Sequence, residues 1–270
     1  MVPELLVVGH IAYDENKTQD GTETVLGGSA YYTAVGASLY SKDVAVISRV
    51  GSDFGIDDFK KIKRLDIDIT GISQEAGNTA RFFHEYNTDG SRSWKGNLGV
   101  CADFNPNDIP SKELYAGHTH VGTMPPRQQR QFMEYLKDKT VWFSIDSLEQ
   151  YIEQWPGEVY ETMILADMVF LNHSQHELFR RLREAGKSVV LKKGADGAEY
   201  FFDDEHISVP APKVELVDPT GSGDVLAGAF SILLARDWDP QYALEEAVRA
   251  ASLSVTDFGV DFLVDKIRYR

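Results

Sequence analysis

Short apolar runs that end on glycine or a polar residue alternate with stretches of helical periodicity along most of this chain. "ELLVVG" (4–9) is such a run, closed by a glycine, and predicts a buried strand. Small residues dominate "GGSAYYTAVGASLYS" (27–41), which follows a glycine pair and predicts a helix packed close to its neighbours. "DVAVISRVGSDFG" (43–55) predicts a strand running into a Gly/Asp turn. "DDFKKIKRLDI" (57–67) sets Phe59, Ile62 and Leu65 at the spacing of an amphipathic helix. Strands are predicted again over 141–146, 167–172 and 188–194, with 198–202 as an antiparallel partner. His118 and His120 flank Thr119 on a further strand. Residues 174–186 predict a helix with Leu178, Leu182 and Ala185 on one stripe and Gly186 at its end. Two helices are expected to close the chain, one facing inward with Leu226, Phe230 and Leu233, the other with Leu244, Val248, Ala251 and Val255.

One segment has a different texture. "TARFFHEYNTDGSRSWKG" (79–96) alternates in the manner of a strand and then turns at Asn87–Gly90, a β-hairpin signal. Phe82, His84 and Tyr86 share one face; Arg81, Phe83 and Glu85 share the other. Aromatics on both faces predict that the hairpin covers something.

Strands alternating with helices predict an α/β fold, a mainly parallel sheet with helices on both faces. Such sheets bind ligands beyond the carboxyl ends of their strands. Asp146, Asn172 and Lys193 end their runs and are expected on that rim. No internal repeat or long linker divides the 270 residues, and 43% hydrophobic composition suffices for one domain with a small appendage.

Charge narrows the partners. With 27 Lys+Arg against 42 Asp+Glu, the net charge of −15 argues against nucleic acid, whose binding rests on phosphate neutralisation. Any nucleotide phosphate must therefore be held by local backbone amides and a few cations. The single cysteine, Cys101, leaves no disulfide framework and reads as a small buried hydrophobe. No run approaches the roughly 20 apolar residues of a membrane span, and the opening run is too short for a signal peptide, so a cytoplasmic protein is expected. His118 and His120 lack a third metal ligand nearby and read as structural.

The densest chemistry lies in "VDPTGSGDVLAGAF" (217–230). If a helix starts near Gly221, the amides of Gly221, Ser222 and Gly223 are unpaired first-turn donors at the positive end of the helix dipole. They suit a phosphate, or the charge that develops as a phosphoryl group moves. Asp224 stands just beyond them, placed to accept a proton from an attacking hydroxyl. A tight turn with an acidic helix start is the bland alternative. The chain has neither the P-loop pattern nor a G-x-G-x-x-G after its first strand.

These stretches together resemble the PfkB (ribokinase-like) family of carbohydrate and nucleoside kinases. "DPTGSGDVLAGAF" is similar to the family's C-terminal signature, "VVGHIAYD" (7–14) to its first strand, and "GGSAYYTAVGASLYSKDVAVISRVGSDFG" (27–55) to its N-terminal signature. "TARFFHEYNTDGS" falls where the family carries part of a β lid, which the resemblance places at about 15–26 and 79–100 of a single kinase domain. The resemblance implies a phosphotransferase with an alcohol acceptor, using ATP with Mg²⁺. It makes Asp224 the catalytic base and Gly221, Ser222 and Gly223 the anion hole. It gives Asp14 to substrate hydroxyls, with Gly27 and Gly28 letting substrate lie against backbone. It sets Asn172 near Mg²⁺ and the phosphates through water, and Lys193, Gly194 and Gly197 near the nucleotide. The segment of Ala251, Ser252 and Val255 falls at the adenine pocket.

Two departures stand out. Gln175 occupies a position where the family has glutamate, which loses a charge near Mg²⁺. Glu177, two residues on, would face elsewhere. Tyr32 stands where the family often has asparagine, so Tyr31 and Tyr32 suggest aromatic walls. Arg81 reaches either the substrate or solvent. A neutral polyol or sugar, myo-inositol foremost, is the expected acceptor; a nucleoside is the alternative, stacked on Tyr31, Tyr32 or Phe83. A non-catalytic sugar or nucleotide binder is the remaining alternative. The resemblance further implies a homodimer paired through lid strands.

Overall fold

The computed structural model describes residues 2–19, 21–86, 92–110 and 115–267. The hairpin turn expected at Asn87–Gly90 lies outside them.

A nine-stranded sheet forms the centre. Its strands are β1 (Leu5–Val8), β4 (Val44–Gly51), β5 (Ile67–Glu75), β8 (Ala116–Val121), β9 (Thr140–Asp146), β10 (Met168–Asn172), β11 (Ser188–Lys192), β12 (Ala198–Phe202) and β13 (Glu205–Val209). Across the sheet they run β13-β12-β11-β10-β9-β8-β1-β4-β5, with every neighbouring pair parallel except β11–β12 and β12–β13, so that β12 alone runs against the rest. A second sheet orders β3 (Gly21–Gly27), β2 (Ala12–Thr18), β6 (Ala80–Tyr86) and β7 (Arg92–Asn97). It draws on 12–27 and 80–97.

The helices are α1 (Ser29–Ser38), α2 (Ile56–Arg64), α3 (Pro126–Leu136), α4 (Glu149–Gln154), α5 (Pro156–Met163), α6 (His176–Glu184), α7 (Ser222–Ala235), α8 (Pro240–Ser254) and α9 (Phe262–Ile267). The last was not legible as a separate element: a short third helix follows the two expected to close the chain. Ala185, placed on the inner stripe of α6, is exposed, because the helix ends at Glu184 and Gly186 turns the chain away with φ 75°.

Apolar residues divide into two cores, one on each face of the central sheet. β1 is buried throughout and feeds both, Leu5 and Val7 to one, Leu6 and Val8 to the other. That explains why its sequence is continuously apolar rather than alternating. α1 and α7 pack together in the first core, with Tyr31, Val225, Ala229 and Phe230 buried. His118 and His120 point from β8 at a single hydroxyl, Ser144 Oγ, at 2.9 and 2.8 Å. Ser144 meets Ser231 of α7 at 3.2 Å, so this polar cluster pins the sheet to that helix. Burial drives the His120 imidazole down to about 3 and keeps it neutral. Cys101 is buried, and its thiol donates to Arg49 O at 3.0 Å.

Candidate active site

The first turn of α7 forms a wall common to two clefts. Gly221 and Asp224 face a cleft shared with Asp14, Gly28 and Tyr32 and roofed by the second sheet. Ser222 and Gly223 face a groove that runs past Gly194 and Gly197 to Ala251, Ser252 and Val255. Of the expected site residues, these assemble about one helix end; Asn172, Lys193 and Arg81 line neither opening.

The turn has a local cause. Asp218 accepts the Thr220 amide at 3.0 Å, an Asx-type bond that bends the chain, and Gly221 then adopts a left-handed φ of 76° as N-cap. A side chain there would also strike Tyr32, whose ring carbons lie 2.4–2.6 Å from the position a Cβ would take. Three free amides were expected. The Ser222 amide instead leans on Pro219 O at 3.3 Å, a long turn bond, while among the described residues Gly221 and Gly223 have no acceptor. A helix N-terminus with such donors is an anion receptor.

Asp14, on β2, is 2% exposed. Its Oδ2 accepts the Tyr32 hydroxyl at 2.7 Å and the Gly28 amide at 3.3 Å. Burial pushes this carboxyl up to about 7, and those two bonds pull it back only in part. Gly27 lies against the pair: its absent Cβ would sit 2.3 Å from Asp14 Oδ2 and 2.6 Å from the Tyr32 hydroxyl. Tyr32 is therefore less a wall than a clamp on Asp14. Tyr31 does not wall the cleft: its hydroxyl bonds Asp261.

Phe82, His84 and Trp94 supply the roof. They come from β6 and β7, whose alternation turns 82, 84 and 86 inward. Phe83 points out and is exposed. Arg81 shares that outer face, pairs with Asp53 at 3.1 Å and lies over the Tyr13 ring at 4.9 Å. Its guanidinium is thus committed away from the cleft, which corrects its expected role. Among the described residues no lysine or arginine lines that cleft.

The nucleotide-side cation is a second correction. Lys193 turns outward to Glu199 at 2.8 Å. Its neighbour Lys192 pairs with buried Asp146 and holds its Nζ 3.3 Å from the Cβ position of Gly223. Asp146 thus serves as anchor for Lys192. Gln175 occupies the N-cap position of α6 without a side-chain bond to the helix, and neither polar atom of its amide has a partner among the described residues. Glu177 stays in solvent with Arg180 at 2.8 Å. Among the described residues no three His, Cys, Asp or Glu side chains gather as a metal cluster.

Sequence reasoning assigned nothing to two long-range contacts. Asn16 of β2 donates to Asp218 Oδ2 at 2.6 Å, and the Tyr86 hydroxyl of β6 meets Thr220 Oγ1 at 2.9 Å. Both join the second sheet to the glycine turn. Motif spacing could flag Asp218, which starts the signature, but not its partner 202 positions away.

The family model for pfkB family carbohydrate kinases matches residues 2–267. A cytidine kinase of Thermococcus kodakarensis is 28% identical over 91% of this chain and 92% of its own. An ATP-dependent ribose-1-phosphate kinase of Halopiger xanaduensis is 27% identical over 84% of this chain and 79% of its own. A nucleoside kinase structure from Burkholderia thailandensis, in complex with inosine, superposes with a TM-score of 0.83 at 18% identity over 96% and 94% of the two chains, a likeness of fold. With the signature turn, the two-sheet architecture and a family match over nearly the whole length, the chain belongs to the pfkB family, kinases that phosphorylate sugar and nucleoside hydroxyls.

Proposed function

We propose that this protein is an ATP-dependent nucleoside kinase, with a pyrimidine nucleoside such as cytidine as its foremost substrate. One observation carries the reading. The cleft beside Asp14 and Asp224 is roofed by Phe82, His84 and Trp94 and lined by no cation among the described residues. Rings of this kind suit a flat, neutral base, and base–aromatic stacking contributes about 1–3 kcal/mol. A polyol such as myo-inositol, the first expectation from sequence, would leave the rings without a stacking partner. A sugar phosphate would meet carboxylates where it needs a cation. The cytidine kinase relative points the same way.

In this reading the sugar lies on Asp14 and Gly28, with the four-stranded sheet as the lid. The adenine of ATP lies along Ala251, Ser252 and Val255, and its phosphates pass Gly194, Gly197 and Lys192 toward Gly221 and Gly223. Asp224 accepts the proton of the attacking hydroxyl as the new O–P bond forms and the β–γ bridging bond breaks. Positioning and fixed electrostatics supply most of the rate. The described residues offer no cage for a bare metal ion. Asn172 and Gln175 would reach Mg²⁺ only through water, and the ion, carried on the phosphates, would offset their charge.

The test is a screen of ADP release with cytidine, adenosine, inosine, myo-inositol, ribose and ribose 1-phosphate. Nucleosides, cytidine first, are expected to exceed the others in kcat/KM by about 100-fold, the scale of a missing base contact of this size. Turnover confined to myo-inositol, ribose or ribose 1-phosphate overturns the reading.

The two lysines can be separated as well. Removing Lys192 alone would strand a buried carboxylate, so Asp146→Asn with Lys192→Met is the informative variant. It is expected to raise the KM for ATP about tenfold, the value of one charged contact. Lys193→Met should leave that KM within about twofold, since Lys193 does not line the nucleotide groove and its half-buried pair with Glu199 stays partly in solvent. ATP titrations at saturating nucleoside check both, and the reverse ranking would refute the assignment.

A further inference from the structure

The state of Asp14 bears on which sugars fit. Resting on the nucleoside reading above, we propose that Asp14 holds a single ribose hydroxyl rather than a vicinal pair, so that the kinase accepts one class of monodeoxynucleoside almost as well as the ribonucleoside.

A carboxylate commonly grips a diol with one oxygen for each hydroxyl. Here one of the two oxygens is already committed. Asp14 Oδ2 accepts the Tyr32 hydroxyl at 2.7 Å and the Gly28 amide at 3.3 Å, which fills its lone pairs. The backbone of Gly27 closes the same side, with its Cβ position 2.3 Å from Oδ2. The clamp does not swing away easily. Tyr32 is 2% exposed, and its ring is wedged on Gly221, 2.4 Å from the Cβ position of that residue. The Tyr32 proton is also spent on Asp14, so it is not free to donate to a second sugar oxygen.

What remains is Asp14 Oδ1, buried and with no partner among the described residues, on a side chain that lines the cleft. One oxygen binds one hydroxyl. The neighbouring hydroxyl is left to neutral groups such as His10, whose imidazole burial drives down to about 4. Losing a hydrogen bond to a neutral partner costs roughly tenfold, whereas leaving the buried Asp14 Oδ1 unpaired costs about 100-fold or more. Removing the hydroxyl on Oδ1 therefore has a large effect and removing its neighbour a small one. Tyr32 produces this asymmetry; asparagine at its position is too short to reach Oδ2 in the same way.

The experiment compares cytidine, 2′-deoxycytidine and 3′-deoxycytidine by kcat/KM and, without ATP, by calorimetric binding. In the native enzyme one deoxy form is expected within about tenfold of cytidine and the other about 100-fold or more below it. Loss of about 100-fold for both means a bidentate grip and overturns the proposal. Retention of both within about tenfold means that Asp14 holds neither hydroxyl and overturns it equally. Turnover of myo-inositol with no turnover of cytidine overturns the nucleoside reading, and this inference with it. Tyr32→Asn, checked by thermal melting, opens Oδ2 and is expected to widen the gap between cytidine and the tolerated deoxy form by about tenfold. A folded variant with an unchanged gap counts against the role of Tyr32, and the native-enzyme comparison decides the proposal if the variant does not fold.

Discussion

Replacing Asp224 by asparagine is expected to lower kcat about 1,000-fold while leaving the KM of both substrates within about threefold, because general-base help is worth ~10²–10⁴ in rate. Asn has the same shape and still lines the cleft, so binding survives. It cannot take the proton that the attacking hydroxyl must lose. Asp224 belongs to the first turn of α7, beside the Gly221 and Gly223 amides, so the carboxylate and the helix-end donors share one rigid element. Rigid placement is what makes an intramolecular proton acceptor effective. Steady-state rates and calorimetric affinities for nucleoside and nucleotide separate the two effects. A kcat loss below about tenfold would remove Asp224 from the chemistry.

The second large effect concerns folding. Gly228→Ala is expected to destabilise the protein by about 3 kcal/mol or more, beyond the usual range of overpacking. α7 crosses α1 backbone to backbone. A Cβ on Gly228 would stand 1.9 Å from Thr33 O and 3.1 Å from the Ala37 amide; one on Gly36 would stand 2.3 Å from Val225 O. Neither obstacle is a side chain that can turn aside, so the helices must separate. For a chain of this size the melting temperature should fall by roughly 10 °C, at about 2–4 °C per kcal/mol. Gly157→Ala is the control, since nothing lies within 4 Å of its added methyl. There the better helix propensity of alanine should add up to about 1 kcal/mol. Melting curves of both variants check the pair, and a Gly228→Ala melt within about 2 °C of the native protein would refute the close crossing.

β1, β4, β9, β10, β11 and β12 were legible because each is bounded by glycine or polar residues, and α2 and α6 because each carries a one-sided apolar stripe; β5, β13 and α3 to α5 were not read, and the helix expected over 57–67 ends at Arg64, with Ile67 opening β5. The glycine turn was legible because only small residues tolerate a left-handed N-cap facing a tyrosine ring. The choice between Lys192 and Lys193 was not. β11 lies in the interior of the sheet with apolar residues on both faces, so its sequence has no alternation to show which lysine faces α7. Arg81 was misplaced although its strand face was read correctly, because facing depends on which side the central sheet lies. Tyr32 was read as a wall because its reach to Asp14 passes through space, not along the chain. α9 was missed because six residues carry too little periodicity.

The two hydrogen bonds from Asn16 and Tyr86 to Asp218 and Thr220 form a mechanical interlock. The strand that carries Asp14 is thereby tied to the turn that opens α7, so the four-stranded sheet cannot be pried outward without dragging the Gly221 turn with it.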